Sequence, residues 1–385
     1  MTDAVDKDLL TIKAVPGVSR LQAYIPGKPI DELEREYGVT NAVKVASNEN
    51  PLGPSPRVIE HLKTLLTRPL DLARYPDGNG FILKNKLVEK LSFDQFFLTP
   101  EQITLGNGSN DVLDILARTF ASAGDEVVFS QYAFAVYPIV TQAVGATPVV
   151  TQAVDWGHDL DAMLNAITDK TRLIFIANPN NPTGTCLSAV ELDAFIDKVP
   201  EHVVVVVDEA YEEYAAHPDS GFSDSYHSML PAMQQYENLV ITRTFSKAFG
   251  LASFRIGYCV SSSVIADLLN RVRQPFNNNS FALESATIAL DDQQHLQKGV
   301  DLNWQGMAFL VAGFNKLGLN YIPSAGNFVC VETGTDTAQI YEKLLYQGVI
   351  TRPVANYQMP HHLRISIGTM AENHRVLEAL EQVLN

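Results

Sequence analysis

The run of five valines from Val203 to Val207 is the feature that most limits what this chain can fold into. A short apolar run of β-branched residues is typical of a strand covered on both faces of a sheet. Similar runs recur along the middle of the chain, each followed by a loop and a helical pattern. The predicted strands are Glu126–Phe129, Thr147–Val150, Arg172–Ala177, His202–Val207, Leu239–Thr242 and Gly257–Val260. This alternation predicts an α/β domain built on a mostly parallel sheet.

The pattern changes after about residue 275 to helical periodicity, clearest over Leu302–Leu317, with short predicted strands at Asn327–Glu332 and Leu363–Ile367. A chain of 385 residues also exceeds the usual size of one domain. We therefore predict a large domain over residues 51–274 and a smaller α+β domain over 275–385. Residues 1–50 are predicted to form an arm that joins the small domain.

Composition excludes several classes of function. The net charge of −16 argues against nucleic-acid binding, because phosphate contacts need clustered lysine and arginine. The longest apolar stretch is far shorter than the roughly 18 residues of a membrane span. Widely spaced Cys186, Cys259 and Cys330, together with an N-terminus unlike a signal peptide, predict a cytoplasmic protein. His361 and His362 are adjacent and lack ligand spacing, so no metal site is predicted.

Polar segments follow several predicted strands, at the sheet edge where ligands bind in open parallel sheets. The segment from Gly106 to Asp111 precedes an apolar-periodic helix. Free N–H groups at such a helix start can hold a phosphate, although a plain capped helix gives the same pattern. The segment from Asn178 to Gly184 places prolines beside asparagines. It forms either a stiff loop that binds a ligand oxygen or an ordinary turn.

A carboxylate and a lysine complete the set of polar groups that follow predicted strands. Asp208 directly follows the valine run, where a carboxylate is unfavourable unless a cation pairs with it. That cation could belong to a ligand or to a structural ion pair, and the residues alone leave both open. Lys247 lies in a loop of small and hydroxyl-bearing residues, with Arg255 eight positions later.

A phosphorylated pyridine that carries an aldehyde would use all of these groups. The aldehyde needs a lysine to form a Schiff base. The ring nitrogen needs a carboxylate to stay protonated and withdraw electrons. The phosphate needs a helix start and nearby donors. These requirements together describe pyridoxal 5′-phosphate.

The motifs GNGSND, NPNNPTG, DEAY and TFSKAFGLASFRIG occur in the order that resembles the fold-type I aminotransferases, over nearly the whole chain. The resemblance implies that Lys247 forms the Schiff base and that Asp208 pairs with the ring nitrogen. It also implies that Asn181 and Tyr211 contact the phenolic oxygen of the ring. The residues implied around the phosphate are Gly108, Ser109, Thr244, Ser246 and Arg255.

The same resemblance implies an aromatic side chain that stacks on the cofactor and a contact between two subunits. An aromatic side chain should stack on the cofactor ring, and the family pattern favours Phe134 over Tyr132. Tyr75 matches a tyrosine that reaches the phosphate of the neighbouring subunit. The resemblance therefore implies a homodimer with shared active sites.

The flanking segments SNENPLGPSP, RYPDG, SAGNF and GVITRPVANYQMPHHLRISIGT resemble the histidinol-phosphate aminotransferases of histidine biosynthesis. By this resemblance Arg364 holds the α-carboxylate of glutamate or 2-oxoglutarate, since a guanidinium binds a carboxylate bidentately. Arg352 and Tyr24 would meet the phosphate of histidinol phosphate, and Asn181 would also contact substrate. The implied reaction moves an amino group between L-glutamate and imidazole-acetol phosphate.

Two positions depart from the family pattern: Asn278 stands where valine is usual, and Glu284 stands where a neutral residue is commoner. Either could alter substrate choice. The alternatives are an aromatic-amino-acid aminotransferase and a phosphothreonine decarboxylase-like enzyme. A cofactor-binding regulator without turnover would need a DNA-binding domain, for which the chain has neither spare length nor basic charge.

Overall fold

The computed structural model describes residues 14–24, 26–68 and 73–384. The first ten residues, in which no signal peptide is predicted, lie outside the described residues. The strands are β1 (Val43–Lys44), β2 (Ile103–Gly106), β3 (Glu126–Ser130), β4 (Thr147–Thr151), β5 (Thr171–Ala177), β6 (Val204–Asp208), β7 (Leu239–Thr244), β8 (Gly257–Val260), β9 (Tyr321–Ile322), β10 (Phe328–Glu332), β11 (Val349–Ile350), β12 (Arg352–Pro353) and β13 (His362–Ser366).

Helices connect and cover these strands. The α-helices are α1 (Ile30–Tyr37), α2 (Pro56–Leu66), α3 (Phe81–Leu91), α4 (Ser109–Phe120), α5 (Val136–Ala143), α6 (Leu160–Asn165), α7 (Ala189–Ile196), α8 (Glu212–Ala215), α9 (Ser263–Val272), α10 (Ser280–Ala289), α11 (Gln293–Leu317), α12 (Thr337–Tyr346) and α13 (Met370–Leu384).

The largest sheet has the strand order β2-β8-β7-β6-β5-β3-β4. The neighbours from β7 to β4 are all parallel, whereas β8 is antiparallel to both β7 and β2. The predicted mostly parallel α/β sheet is therefore confirmed. Strand β2 was not among the predicted strands, because its four residues offer only two large apolar side chains before a glycine.

The valine run occupies the middle of this sheet, and its side chains alternate between two hydrophobic clusters. Val205 and Val207 pack in the cluster that also contains residues of α2, α3 and α10. Val204 and Val206 pack on the opposite face, against residues of α4 and α5. Because both faces are covered, every residue of β6 is buried. This burial brings Asp208, at the end of the strand, into the interior.

A second group of elements contains a four-stranded antiparallel sheet in the order β12-β13-β10-β9. Its apolar side chains pack with those of α11 and α13 in a separate cluster. The N-terminal segment joins this group, since β1 pairs in parallel with β11. We propose that the two groups are the two predicted domains. Leu283 and Ala286 of α10 pack in the large-sheet cluster, which favours a boundary after that helix rather than at residue 275.

Within the part of the chain that the structure describes, no helix combines the length and apolarity that a membrane crossing requires. The described residues also form no group of three or more histidine, cysteine, aspartate and glutamate side chains that could hold a metal ion.

Candidate active site

A cavity of about 200 Å³ lies at the carboxyl ends of β5, β6 and β7. The predicted site residues all line it except Gly108 and Tyr75. Those that line it are Tyr24, Ser109, Phe134, Asn181, Asp208, Tyr211, Thr244, Ser246, Lys247, Arg255, Arg352 and Arg364. The structure thus brings together residues from both groups of elements and from most of the length of the chain.

Lys247 follows the end of β7 and points into this cavity. Its Nζ donates a hydrogen bond to the main-chain oxygen of Ser47 at 3.2 Å and lies 5.8 Å from the centre of the Tyr211 ring. Burial, followed by the positive charge of Arg364, lowers the pKa of Lys247 to about 8. The amine therefore loses its proton far more readily than an exposed lysine does.

Asp208 is 5% exposed and has an oxygen without a partner. Tyr137 Oη donates to Asp208 Oδ2 at 3.0 Å, whereas Oδ1 has no hydrogen-bond partner. Burial raises the pKa of this carboxyl to about 6. Among the described residues no cationic side chain forms an ion pair with Asp208. A bound cation could occupy the side of Asp208 that carries Oδ1.

The adjacent carboxylate, Glu209, forms the structural ion pair instead. Arg243 donates to Glu209 Oε2 from both Nε and Nη2, at 3.1 and 2.8 Å. The Ser228 hydroxyl and the main-chain N–H of Met229 also donate to this carboxylate. The structural ion pair that the sequence left open for Asp208 is formed by its neighbour Glu209 instead.

The start of α4 and the end of β7 form a polar concavity suited to an anion. Ser109 is the first residue of the helix, and Gly108 before it has φ of 82°, in the left-handed region. A β-carbon at Gly108 would lie 2.4 Å from Nη2 of Arg255, so only glycine leaves room for the guanidinium. Buried Thr244 and Ser246 add hydroxyls, and Arg255 Nη1 donates to Ser246 Oγ at 3.4 Å.

Of the two candidate ring-stacking aromatics, Phe134 lines the cavity. Tyr132 packs instead against Trp156, with ring centres 5.2 Å apart. The Phe134 ring is held edge-on by Tyr137, at 5.9 Å. The geometry favours Phe134 as the side chain that would contact a planar ligand.

Two arginines lie at the other end of the cavity. Arg364, on β13, donates from Nη1 to Asn181 Oδ1 at 2.5 Å and from Nη2 to the Ala46 carbonyl at 2.8 Å. The Arg352 guanidinium lies 5.4 Å from the centre of the Tyr24 ring. This end of the cavity is locally positive although the whole chain is acidic. An anionic group that entered this end of the cavity would meet complementary charge.

Tyr75 lies outside the cavity, and so do Asn278 and Glu284, the two positions that depart from the family pattern. The Tyr75 side chain is 82% exposed and stacks on Phe276 at 4.6 Å. Asn278 is buried and donates to the Gly106 carbonyl at 2.7 Å, so it supports the loop before α4. Glu284 contacts His61 Nε2 at 2.5 Å on the outer side of α10.

Asn48 and Tyr357 are among the cavity residues that sequence reasoning missed. Asn48 is 1% exposed, has φ of 56°, and donates from Nδ2 to the Tyr211 hydroxyl oxygen. Asparagine tolerates the left-handed region better than most residues, which is the available signal in the turn-rich segment after residue 46. Tyr357 is buried beside Arg364, and no local pattern distinguishes it from an ordinary core tyrosine.

Residues 40–380 match the family model described as aminotransferase class I and II. The chain belongs to this aminotransferase family. Histidinol-phosphate aminotransferase 1 of Idiomarina loihiensis is 54% identical over 368 residues, covering 96% of each chain. Histidinol-phosphate aminotransferase 2 of Pseudomonas fluorescens (strain Pf-5) is 55% identical over 373 residues, covering 96% of this chain and 97% of that protein.

A solved structure agrees with these relatives. Histidinol-phosphate aminotransferase from Sinorhizobium meliloti, in complex with pyridoxal 5′-phosphate, superposes with a TM-score of 0.83 at 28% identity and covers 96% of each chain. This aminotransferase therefore has the fold expected of its family, and its sheet edge carries the cavity described above.

Proposed function

We propose that this chain is a pyridoxal 5′-phosphate-dependent histidinol-phosphate aminotransferase of histidine biosynthesis. It would transfer an amino group between L-glutamate and imidazole-acetol phosphate. The observation that carries the proposal is one cavity that contains a buried lysine, an unpaired buried carboxylate and three arginines. Relatives more than half identical over nearly the whole chain support the choice of substrate.

The polar groups of the cavity fit this cofactor. Asp208 Oδ1, without a partner in the described protein, would accept a hydrogen bond from the protonated ring nitrogen. Ser109, Thr244, Ser246 and Arg255 would hold the phosphate, and Gly108 leaves the space that Arg255 needs. Phe134 would cover one face of the ring, and Asn181 and Tyr211 would contact its phenolic oxygen. When bound, the cofactor withdraws electrons from the reacting carbon of the substrate.

Lys247 has two roles in this proposal. It would bond covalently to the cofactor aldehyde and, once released by the substrate amine, act as the base that moves the proton from the substrate α-carbon. A pKa of about 8 suits both roles, because a useful fraction of the amine is neutral near pH 7. The contact with the Ser47 carbonyl keeps Nζ at the cavity wall rather than in solvent.

The two arginines would allow one site to accept different anions. Arg364 would grip the α-carboxylate of glutamate, and its Nε has no partner in the described chain. Arg352 and Tyr24 would bind the phosphate of histidinol phosphate, together with Arg364. The half-reactions thus use the same positive end of the cavity for different groups.

A homodimer with shared sites is part of the proposal. It is supported by the exposure of Tyr75, which does not line the cavity of its own chain and stacks on Phe276. Sedimentation of the holoenzyme should give the mass of two chains, and an active monomer would contradict this. The wide spacing of the cysteines supports a cytoplasmic location.

Arg352→Ala tests the choice of substrate. Losing a charged hydrogen bond to the phosphate should lower kcat/KM for histidinol phosphate roughly tenfold to a hundredfold. Phenylalanine has no phosphate and should lose much less. Arg118→Ala, which removes a surface arginine paired with Asp114, is the matched control. Equal losses for both donors, or a wild type that prefers phenylalanine, would indicate an aromatic aminotransferase. Release of carbon dioxide from phosphothreonine would indicate the decarboxylase.

A further inference from the structure

Strand β13 and the segment around Asn48 are joined by a dense set of hydrogen bonds. The Ser366 main-chain N–H donates to the Val45 carbonyl at 2.8 Å. The main-chain N–H of Asn48 donates to Ser366 Oγ at 2.8 Å, and Ser366 Oγ contacts Asn48 Oδ1 at 2.9 Å. Asn48 Nδ2 then contacts the Tyr211 hydroxyl at 2.9 Å. Asn48, Ser366 and Tyr211 are all at most 4% exposed.

The hydrogen bonds of this set run in one direction. Ser366 Oγ accepts a hydrogen from the Asn48 main chain and donates its own hydrogen to Asn48 Oδ1. The oxygen of the Asn48 amide thus faces Ser366, and its NH₂ group faces Tyr211 and donates to the hydroxyl. The Tyr211 hydroxyl accepts this bond, and its own hydrogen has to be donated elsewhere. The cavity is the space that its ring and hydroxyl line.

The Tyr211 hydroxyl also retains its proton. Burial raises the pKa of Tyr211 to about 12, although the positive charge of Arg364 opposes this. Through the physiological range the group is therefore a neutral phenol with one hydrogen to donate. Without a fixed amide on its other side, that hydrogen could turn toward Asn48 instead.

We propose that Ser366 and Asn48 are positioning residues that keep the Tyr211 hydroxyl a hydrogen-bond donor into the cavity. This rests on the proposed function, in which the phenolic oxygen of pyridoxal 5′-phosphate is the acceptor. A hydrogen bond from Tyr211 would lower the affinity of that oxygen for protons, and Lys247 would supply the nitrogen that titrates beside it. The Ser366–Asn48–Tyr211 relay therefore tunes the pH at which the bound cofactor titrates.

The readout is the midpoint of the pH-dependent absorption change of the holoenzyme. Tyr211→Phe should raise this midpoint by about one pH unit or more, the size of one charged hydrogen bond. Asn48→Asp places a carboxylate that accepts the Tyr211 hydrogen, so it should raise the midpoint by about one pH unit as well. Ser366→Ala releases the amide without adding charge and should give a smaller shift in the same direction.

Double variants distinguish a shift that is transmitted through Tyr211 from a shift caused directly by charge or by weaker packing around the site. In the Tyr211→Phe background, the shift caused by Ser366→Ala should vanish and that of Asn48→Asp should fall by more than half. Asn327→Ala is the matched control, since Asn327 Nδ2 donates to the Asn48 main-chain carbonyl at 3.0 Å and takes no part in the relay. It should leave the midpoint unchanged.

Two outcomes would overturn the inference: full shifts that persist in the Tyr211→Phe background, or no shift with Ser366→Ala and Asn48→Asp. If Asn48→Asp fails to fold, the comparison of Ser366→Ala in the wild-type and Tyr211→Phe backgrounds, which adds no charge, decides the question alone. Failure of the proposed function looks different. In that case the wild type itself would lack a titrating absorption band and an adduct that borohydride can trap at Lys247.

Discussion

Asp208 and Glu209 are neighbours at the end of β6 and are both almost fully buried, at 5% and 2% exposure, yet their surroundings differ. Glu209 receives hydrogen bonds from the Arg243 guanidinium, the Ser228 hydroxyl and a main-chain N–H. Asp208 receives one from Tyr137 and keeps an oxygen without a partner. A buried carboxylate whose bonds are completed by the protein serves the fold. One that is left incomplete indicates a ligand.

The largest effect we expect concerns the structural carboxylate. Glu209→Gln leaves Arg243 buried with the more distant Glu212, at 3.6 Å, as its one anionic partner among the described residues. Breaking a buried pair in this way costs about 3–5 kcal/mol of unfolding free energy, and the remaining partner favours the lower end. Urea unfolding measures the loss. Turnover per folded molecule should stay close to that of the wild type, and a strong fall in turnover without destabilisation would reverse the roles assigned to the two carboxylates.

Asp208→Asn should lower turnover strongly without lowering stability. Removing the charge that opposes the ring nitrogen should lower kcat by roughly a hundredfold to a thousandfold, as when one preorganised electrostatic group is lost. The cofactor-free protein should not be less stable than the wild type, because an unpaired buried charge has been removed. Steady-state kinetics and urea unfolding on the same preparation check both halves. Near wild-type turnover would mean that Asp208 does not act on the cofactor.

The smallest effect we expect is in the pH dependence of the unfolding free energy of the cofactor-free protein. An aspartate in an unfolded chain titrates near pH 4, whereas burial raises the pKa of Asp208 in the folded chain to about 6. Stability from the neutral carboxyl is thus present below pH 4 and is lost as the pH rises through 6. Relative to Asp208→Asn, the wild type should lose about 2 kcal/mol of unfolding free energy between pH 4 and 7.

Urea unfolding of both proteins across this range measures the difference. The exposed-carboxylate variant Glu237→Gln should track the wild type and serves as the control. Parallel curves for the wild type and Asp208→Asn would show that Asp208 is not desolvated in the folded chain.

The central sheet could be predicted because its strands are continuous β-branched runs, as in Val203–Val207. Two-residue strands such as β1 and β11 could not, since they exist only through pairing with each other across most of the chain. The antiparallel direction of β8 was equally hidden, because an apolar run of four residues reads the same in either direction.

The residues of the candidate site also fall into two groups, those that short motifs predict and those that depend on distant contacts. Lys247, Asp208 and Tyr211 lie in short motifs that follow predicted strands, so local sequence together with the family resemblance was enough to propose them as site residues. Asn48 acts through Tyr211 and Ser366, which are 163 and 318 residues away. No local pattern encodes contacts of that separation, and only the folded chain reveals them.

The bonds between β13 and the Asn48 segment also have a consequence for synthesis. The two partners are separated by 318 residues, so at about 5–20 residues per second the ribosome needs roughly 15 to 60 seconds to deliver the second after the first. During this interval the lysine, the aspartate and the helix start have already emerged. The nascent chain therefore acquires its chemically active groups before the strand that orients them, and a chain that terminates before β13 would expose those groups without their supports.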